Sequence, residues 1–188
     1  MQNIKEEFNL YKALFQKELH ENILSFWIKY SIQKDGKGFY GAVDSKGNPI
    51  PGAAKTSVLN ARILWTFAEA AKNFNNKIYG EIADKAFKVV TNDFLDKEHG
   101  GYYMTISSEN QPLDTIKHTY AQAFVLYALS KYYELRSSSQ LLQQLKTYFD
   151  FLEEKTKDTE FPGYTEAFTR KWQPYSENRM ADNNEPRS

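Results

Sequence analysis

Cysteine is absent from the 188 residues, which excludes disulfide scaffolds and thiolate metal sites and leads us to expect a cytoplasmic location. Three histidines (His20, His99 and His118) are too few for a histidine-rich metal centre, so no metal or cofactor is expected. Neither sign of charge is in excess, because 24 Lys and Arg balance 24 Asp and Glu. A nucleic-acid or anionic-membrane binder needs a basic excess or patch, so neither is expected as a partner. No apolar run approaches the roughly 20 residues that span a bilayer. The opening run MQNIKEEFNLYKALFQKELH is too charged for a secretory signal. Aromatics, by contrast, make up 15% of the chain, with 13 Tyr and 13 Phe. Such rings fill cores, and they also serve as stacking faces in sugar clefts. The length suits one domain.

A repeat organises that domain. Gly38-Phe39-Tyr40, Gly101-Tyr102-Tyr103 and Gly163-Tyr164 recur at spacings of 63 and 62 residues. Asn48-Pro49 then Lys55 match Gln111-Pro112 then Lys117. From each lysine the register holds without a gap: an amide at +5 (Asn60, Gln122), Ala at +6 and an aromatic at +10 (Trp65, Tyr127).

Each unit holds two kinds of helix. Residues 4–20, 78–94 and 139–155 read as amphipathic, with Leu141, Leu145, Tyr148, Phe149 and Leu152 forming the stripe of the third. Residues 57–72 and 119–135 are apolar nearly all round, the pattern of a helix covered on both sides. Between them, GFYGAVDSKGNPI and GYYMTISSENQPL read as short β-hairpins, with turns at 45–48 and 107–110. Amphipathic outer helices alternating with buried inner ones indicate an all-α toroid with hairpins on its rim. The chain is expected to be one partial domain of about three helical-hairpin units over residues 1–188, with a polar loop or tail at 175–188. A closed ring of six such units needs about 370 residues. Ser188 would suit the N-cap of a following helix. A disordered tail on a small helical domain is the competing reading.

Three stretches carry a family resemblance: SVLNARILWTFAEAAKNF, HGGYYMTISSENQPLDTIKHTYAQAFVLYALSKYYE and GYTEAFTRKWQ. From about Ile23 onward the chain resembles the N-acylglucosamine 2-epimerase superfamily, most of all its cellobiose 2-epimerase branch. Met104 departs from the pattern, which often has tryptophan there. The resemblance implies the N-terminal half of an (α/α)6 barrel and metal-independent epimerisation of a reducing-end sugar at C2. One histidine removes the C2 proton, and another reprotonates the cis-enediolate on the opposite face. Those acid/base histidines belong to the second half of the barrel, so none is expected among these residues, and the chain alone is expected to be inactive.

On the same resemblance Arg62 serves the reacting end of the sugar. It sits on an otherwise apolar helix, where an ion pair with Glu69 or Glu166 is the alternative. Asn60 and Gln122 hold equivalent amides that can bond sugar hydroxyls or loop backbone. Tyr120 faces either the lumen or the core. Glu166 and Phe168 lie at the rim of the third unit, with Glu166 ordering Arg62 or holding a loop. His118 begins an inner helix and is expected to hydrogen-bond the rim rather than act as a base. His20 and His99 are expected to face solvent.

Other classes stay open. An inverting glycoside hydrolase or unsaturated-uronyl hydrolase would need a carboxylate pair, for which Asp44, Asp96, Asp114 and Glu166 are available. A helical-repeat scaffold or a sugar-binding remnant are the non-catalytic readings. The expected partner is a small saccharide. Inner helices short of partners would expose apolar surface, which points to marginal stability, or to pairing with a second copy or a separately made C-terminal half.

Overall fold

A computed structural model describes residues 2–175. Helix α1 (Gln2–Lys17) continues through a π turn (Glu18–Leu24) into α2 (Ser25–Tyr30). It therefore runs ten residues past the expected end at residue 20. The inner helices are α3 (Ser57–Phe74) and α5 (Thr119–Leu135), and the other outer helices are α4 (Lys77–Lys88) and α6 (Ser139–Thr156). Caps fix these ends. Thr56, Asn76 and Ser138 accept hydrogen bonds from the backbone N–H groups of Leu59, Ile78 and Leu141. Asn75 stops α3 in the left-handed region, at φ 45°.

The core lies between α3, α4 and α5. Ala61, Leu64 and Ala68 of α3 are fully buried, as are Ala83 and Ala86 of α4 and Val125 and Ala128 of α5. Small residues at these contacts let the helix axes approach closely. Among the described residues the helices make two inner–outer pairs, α3–α4 and α5–α6, preceded by the continuous outer run α1–α2. Three outer and two inner helices are thus present, and the third rim hairpin has no inner helix behind it among the described residues.

The repeat is preserved bond by bond. Gln33, Asp96 and Asp158 each donate their backbone N–H to the carbonyl of the glycine five residues on, Gly38, Gly101 and Gly163. Single bridges pair Ile32 with Phe39, Leu95 with Tyr102, and Lys157 with Tyr164. Each rim hairpin then docks on the preceding unit. Strand β1 (Lys55–Thr56) pairs with β2 (Thr105–Ile106), which turns back into β3 (Pro112–Asp114). Strand β4 (Lys117–His118) pairs with β5 (Ala167–Phe168). The hairpin tips repeat in kind, with Gly47, Asn110 and Trp172 all at positive φ.

Exposed apolar surface is not concentrated on the inner helices. Ile4, Phe8, Tyr11 and Phe15 form an exposed row on α1, at helical spacing, although Tyr127 of α5 is also half exposed. Phe149, expected in the α6 stripe, points outward, while Leu141, Leu145 and Leu152 are buried.

Candidate functional site

The side of the α3–α5 pair that remains open is graded along the helices. Arg62 comes first, exposed between the buried Ala61 and Ile63. No hydrogen bond or ion pair reaches its guanidinium among the described residues. Glu69, one candidate partner, is taken by Lys131 at 2.9 Å and by Asn73. The hydrogen bond from Lys131 holds the Glu69 carboxyl below the usual carboxylate range. The side chain of Glu166 is exposed and does not meet Arg62. An unpaired guanidinium on an inner helix is a free bidentate donor.

Aromatic rings follow. Tyr120, 47% exposed, meets Phe124 edge-on at 4.9 Å, and Phe124 meets Tyr127 at 6.3 Å. Tyr127 stacks on Trp65 across the two helices, at 5.3 Å and 12°. These two rings are the +10 aromatics of the repeat, so the spacing that revealed the repeat also marked the pair. Further along, Lys131 lies over Trp65 and binds Glu69 and Glu134, and Lys72 binds Glu134. This charged network ties α3 to α5 beyond the rings.

Glu166 closes over the start of α5, accepting the Thr119 N–H at 2.9 Å, next to Tyr120. Met104 does the same for Ser57 of α3, at 3.0 Å. The rim is thus built from the next unit's hairpin.

Three of the candidate residues, Gln122, Asn60 and Phe168, are buried. Gln122 is fully buried, and its amide donates to the Tyr102 carbonyl while accepting from the Tyr102 N–H and the Tyr148 hydroxyl. It fastens the rim loop, with both lone pairs of its oxygen engaged. Gly101 makes room for this: a Cβ there would lie 2.9 Å from Gln122 Oε1 and 2.6 Å from the Trp172 ring. Asn60, one methylene shorter, is also buried and donates only to its own helix at Thr56, leaving Oδ1 without a partner. Phe168 is buried against Trp172, at 5.6 Å.

The histidines also differ from expectation. His118 is buried and meets the rim through its backbone pairing with Ala167, while its Nδ1 is enclosed without a partner. His20 is half-buried, bonding the Tyr79 hydroxyl at 2.8 Å and lying edge-on to Phe74. His99 is half-buried beside Glu98.

A buried charge cluster carried no signal in the sequence. Asp96 is fully enclosed and receives Lys117 at 3.0 Å and Arg170 at 2.9 Å, with Arg170 also reaching Glu98 and the Tyr103 hydroxyl. Burial raises the Asp96 carboxyl, but hydrogen bonds from Arg170 and Lys117 outweigh it and hold the group well below the usual range. Asp44 caps its own turn at Lys46 and Asn48, and Asp114 accepts from Ile116. Of the four acids considered for a glycosidase pair, Asp44, Asp96 and Asp114 are engaged in these contacts, and the Glu166 carboxylate is exposed.

The family model for N-acylglucosamine 2-epimerase (GlcNAc 2-epimerase) matches residues 38–184, most of the chain. The chain belongs to that family. A cellobiose 2-epimerase of Bacteroides fragilis is 33% identical over 171 residues, covering 91% of this chain and 44% of the relative. One from Dictyoglomus turgidum is 33% identical over 168 residues, covering 89% and 42%. The solved cellobiose 2-epimerase of Spirochaeta thermophila superposes with a TM-score of 0.89 at 30% identity, over 97% of this chain and 45% of that one. A D-mannose isomerase shares the fold, at a TM-score of 0.74 and 22% identity. The epimerase-family chain described here thus spans less than half the length of the relatives it matches. Its helices correspond to part of their (α/α)6 barrel. No described helix is long and apolar enough to cross a membrane.

Proposed function

We propose that this chain supplies the sugar-gripping part of a saccharide 2-epimerase acting on the reducing end of a cellobiose-type disaccharide. The observation that carries the reading is Arg62, an exposed and unpaired guanidinium on an inner helix of an epimerase-family fold. Epimerisation at C2 places negative charge on the O1–O2 side of an enediolate. A planar two-pronged cation stabilises such charge better in the transition state than in the ground state. Tyr120 and the Tyr127–Trp65 stack offer ring faces to the apolar C–H side of a pyranose. The exposed carboxylate of Glu166, on the same rim, would accept from a sugar hydroxyl.

Proton transfer at C2 is not assigned to this chain. His20 is tied to Tyr79, His99 sits in the rim turn beside Glu98, and His118 is enclosed. The apolar row on α1 supports a working assembly in which a second copy or a separately made C-terminal half covers that helix.

Titrating cellobiose into the 15N-labelled chain tests the reading. Amide shifts are expected along the open face of α3 and α5, saturable in the native chain and lost in Arg62→Ala. Because Arg62 has no partner to lose, that variant should keep its stability within about 0.5 kcal/mol. Shifts that survive Arg62→Ala, or that fall on the outer helices, would contradict the proposal.

A further inference from the structure

A second concave site lies on the outer wall. Leu129 and Tyr132 form its floor, on the side of α5 turned away from Tyr120 and Tyr127. One wall is α4 with the π turn that follows it (Val89–Asp93), and the other is α6. Gly100 and Gly101 of the rim border the end at Phe151, where a Cβ on Gly100 would lie 3.0 Å from the Phe151 ring. The groove holds about 840 Å3, within the range of ligand sites. Along α6 it runs from Ser138 to Phe151, about 20 Å at 1.5 Å per residue.

Three aromatic pairs contribute to it. Phe87 stacks on Tyr132 at 4.3 Å, Tyr148 meets Tyr102 edge-on at 5.2 Å, and Phe151 meets Trp172 edge-on at 5.1 Å. Phe87, Tyr148 and Phe151 are only half-buried, so each pair leaves one ring in reach of a ligand. The polar lining is neutral. Asn92, Gln140 and Gln144 are exposed and make no hydrogen bond among the described residues, and Thr147 accepts a long one from Gln143, at 3.4 Å. Arg136 is the one charged residue in the lining, and Asp84 binds it twice, at 3.1 and 3.2 Å. No charge is left uncompensated, which disfavours an ionic ligand. A purely apolar ligand would leave the amides nothing to bind. Pyranose rings present both an apolar C–H face and hydroxyls that donate and accept, which matches rings and amides in one groove.

We infer that this groove is a second, non-catalytic site that holds a neutral linear oligosaccharide along α6. Its rings would lie on Phe87, Tyr148 and Phe151, and its hydroxyls would bond Asn92, Gln140 and Gln144. A disaccharide is too short to use all three rings over about 20 Å, so a longer chain is preferred. The inference does not rest on the role of Arg62, because the two sites share no residue.

The probe is cellopentaose, titrated into the 15N-labelled chain beside cellobiose. Saturable shifts are expected at Thr91, Asn92, Gln140, Gln144 and Thr147 with cellopentaose, whereas cellobiose at equal concentration should leave those amides unmoved. Arg62→Ala should not alter the cellopentaose affinity read there. Gln140→Ala combined with Gln144→Ala should weaken it at least fivefold, and Thr147→Arg, which fills the groove, should abolish it. All three positions are exposed, so these variants should keep the fold. Unmoved groove amides, or equal affinity of the native chain and the double variant, would overturn the inference. Shifts confined to the open face of α3 and α5 would also overturn it while leaving the Arg62 reading intact. So would an apolar dye that occupies the groove and is not displaced by cellopentaose, which would make it a site for hydrophobic ligands.

Discussion

Lys55 and Lys117 occupy the same place in successive units, 62 residues apart, yet they are held by opposite chemistry. Both are fully buried. The Lys55 ammonium sits among neutral oxygens, those of Gln33, Asn110 and the Lys37 carbonyl. The Lys117 ammonium meets the Asp96 carboxylate and lies over the Tyr103 ring. Burial pushes both amines down from the ordinary lysine range, and for Lys117 the carboxylate opposes that shift.

Removing a partner should therefore cost different amounts in the two units. Asp96→Ala strands a buried ammonium and should lower stability by about 3–5 kcal/mol. Lys55→Met unpairs neutral acceptors and removes a charge that acts on Asp93 only at longer range, and should cost about 1–3 kcal/mol. Urea unfolding of the two variants, compared at equal m-value, would show the order.

Acid should loosen the rim through Asp96. Its folded carboxyl lies below the unfolded value of about 4, so the stability it contributes is complete above that pH. It is lost as pH falls from about 4 through the folded value. Midpoints measured between pH 6 and pH 3 should drop in the native chain and drop less in Asp96→Asn. Parallel curves for the two proteins would assign the acid sensitivity elsewhere.

Gln122 and Asn60 offer a matched pair of amides. Gln122→Leu removes three hydrogen bonds and leaves the buried backbone of Tyr102 unsatisfied, a loss of about 2–3 kcal/mol. Asn60→Leu also removes an oxygen that has no partner, so it should be close to neutral, within about 1 kcal/mol. Thermal melts would separate them.

The α1 row makes a prediction in solution. Ile4, Phe8, Tyr11 and Phe15 should bind a hydrophobic-surface dye or drive self-association, and Phe8→Lys with Phe15→Lys should abolish either. A monodisperse, dye-silent native chain with a high melting temperature would count against an uncovered face.

Much of this architecture is legible in the sequence because it repeats. The Gly–aromatic step and the run from each lysine locate both inner helices and both central hairpins, and Asn110 and Gly47 supply the positive φ that their turns require. The inter-unit contacts are not legible. Strand β1 meets β2 some 50 residues later, and Arg170 reaches Asp96 across 74, so no local pattern marks either. Burial of Gln122 escapes notice for the same reason, because its partner is the rim loop at Tyr102, 20 residues earlier. Arg62 stands out in sequence as a lone cation among Ala61, Ile63 and Leu64, and it is exposed where those three are buried.

The most direct test of the proposed division of labour is to incubate the chain with cellobiose in D2O and follow the C2 proton of the reducing glucose by NMR. The expected result is saturable perturbation of the reducing-end resonances with no deuterium at C2. Deuterium incorporation with formation of glucosyl-mannose would contradict it, and would place a working base within these residues, with His118 the first to replace.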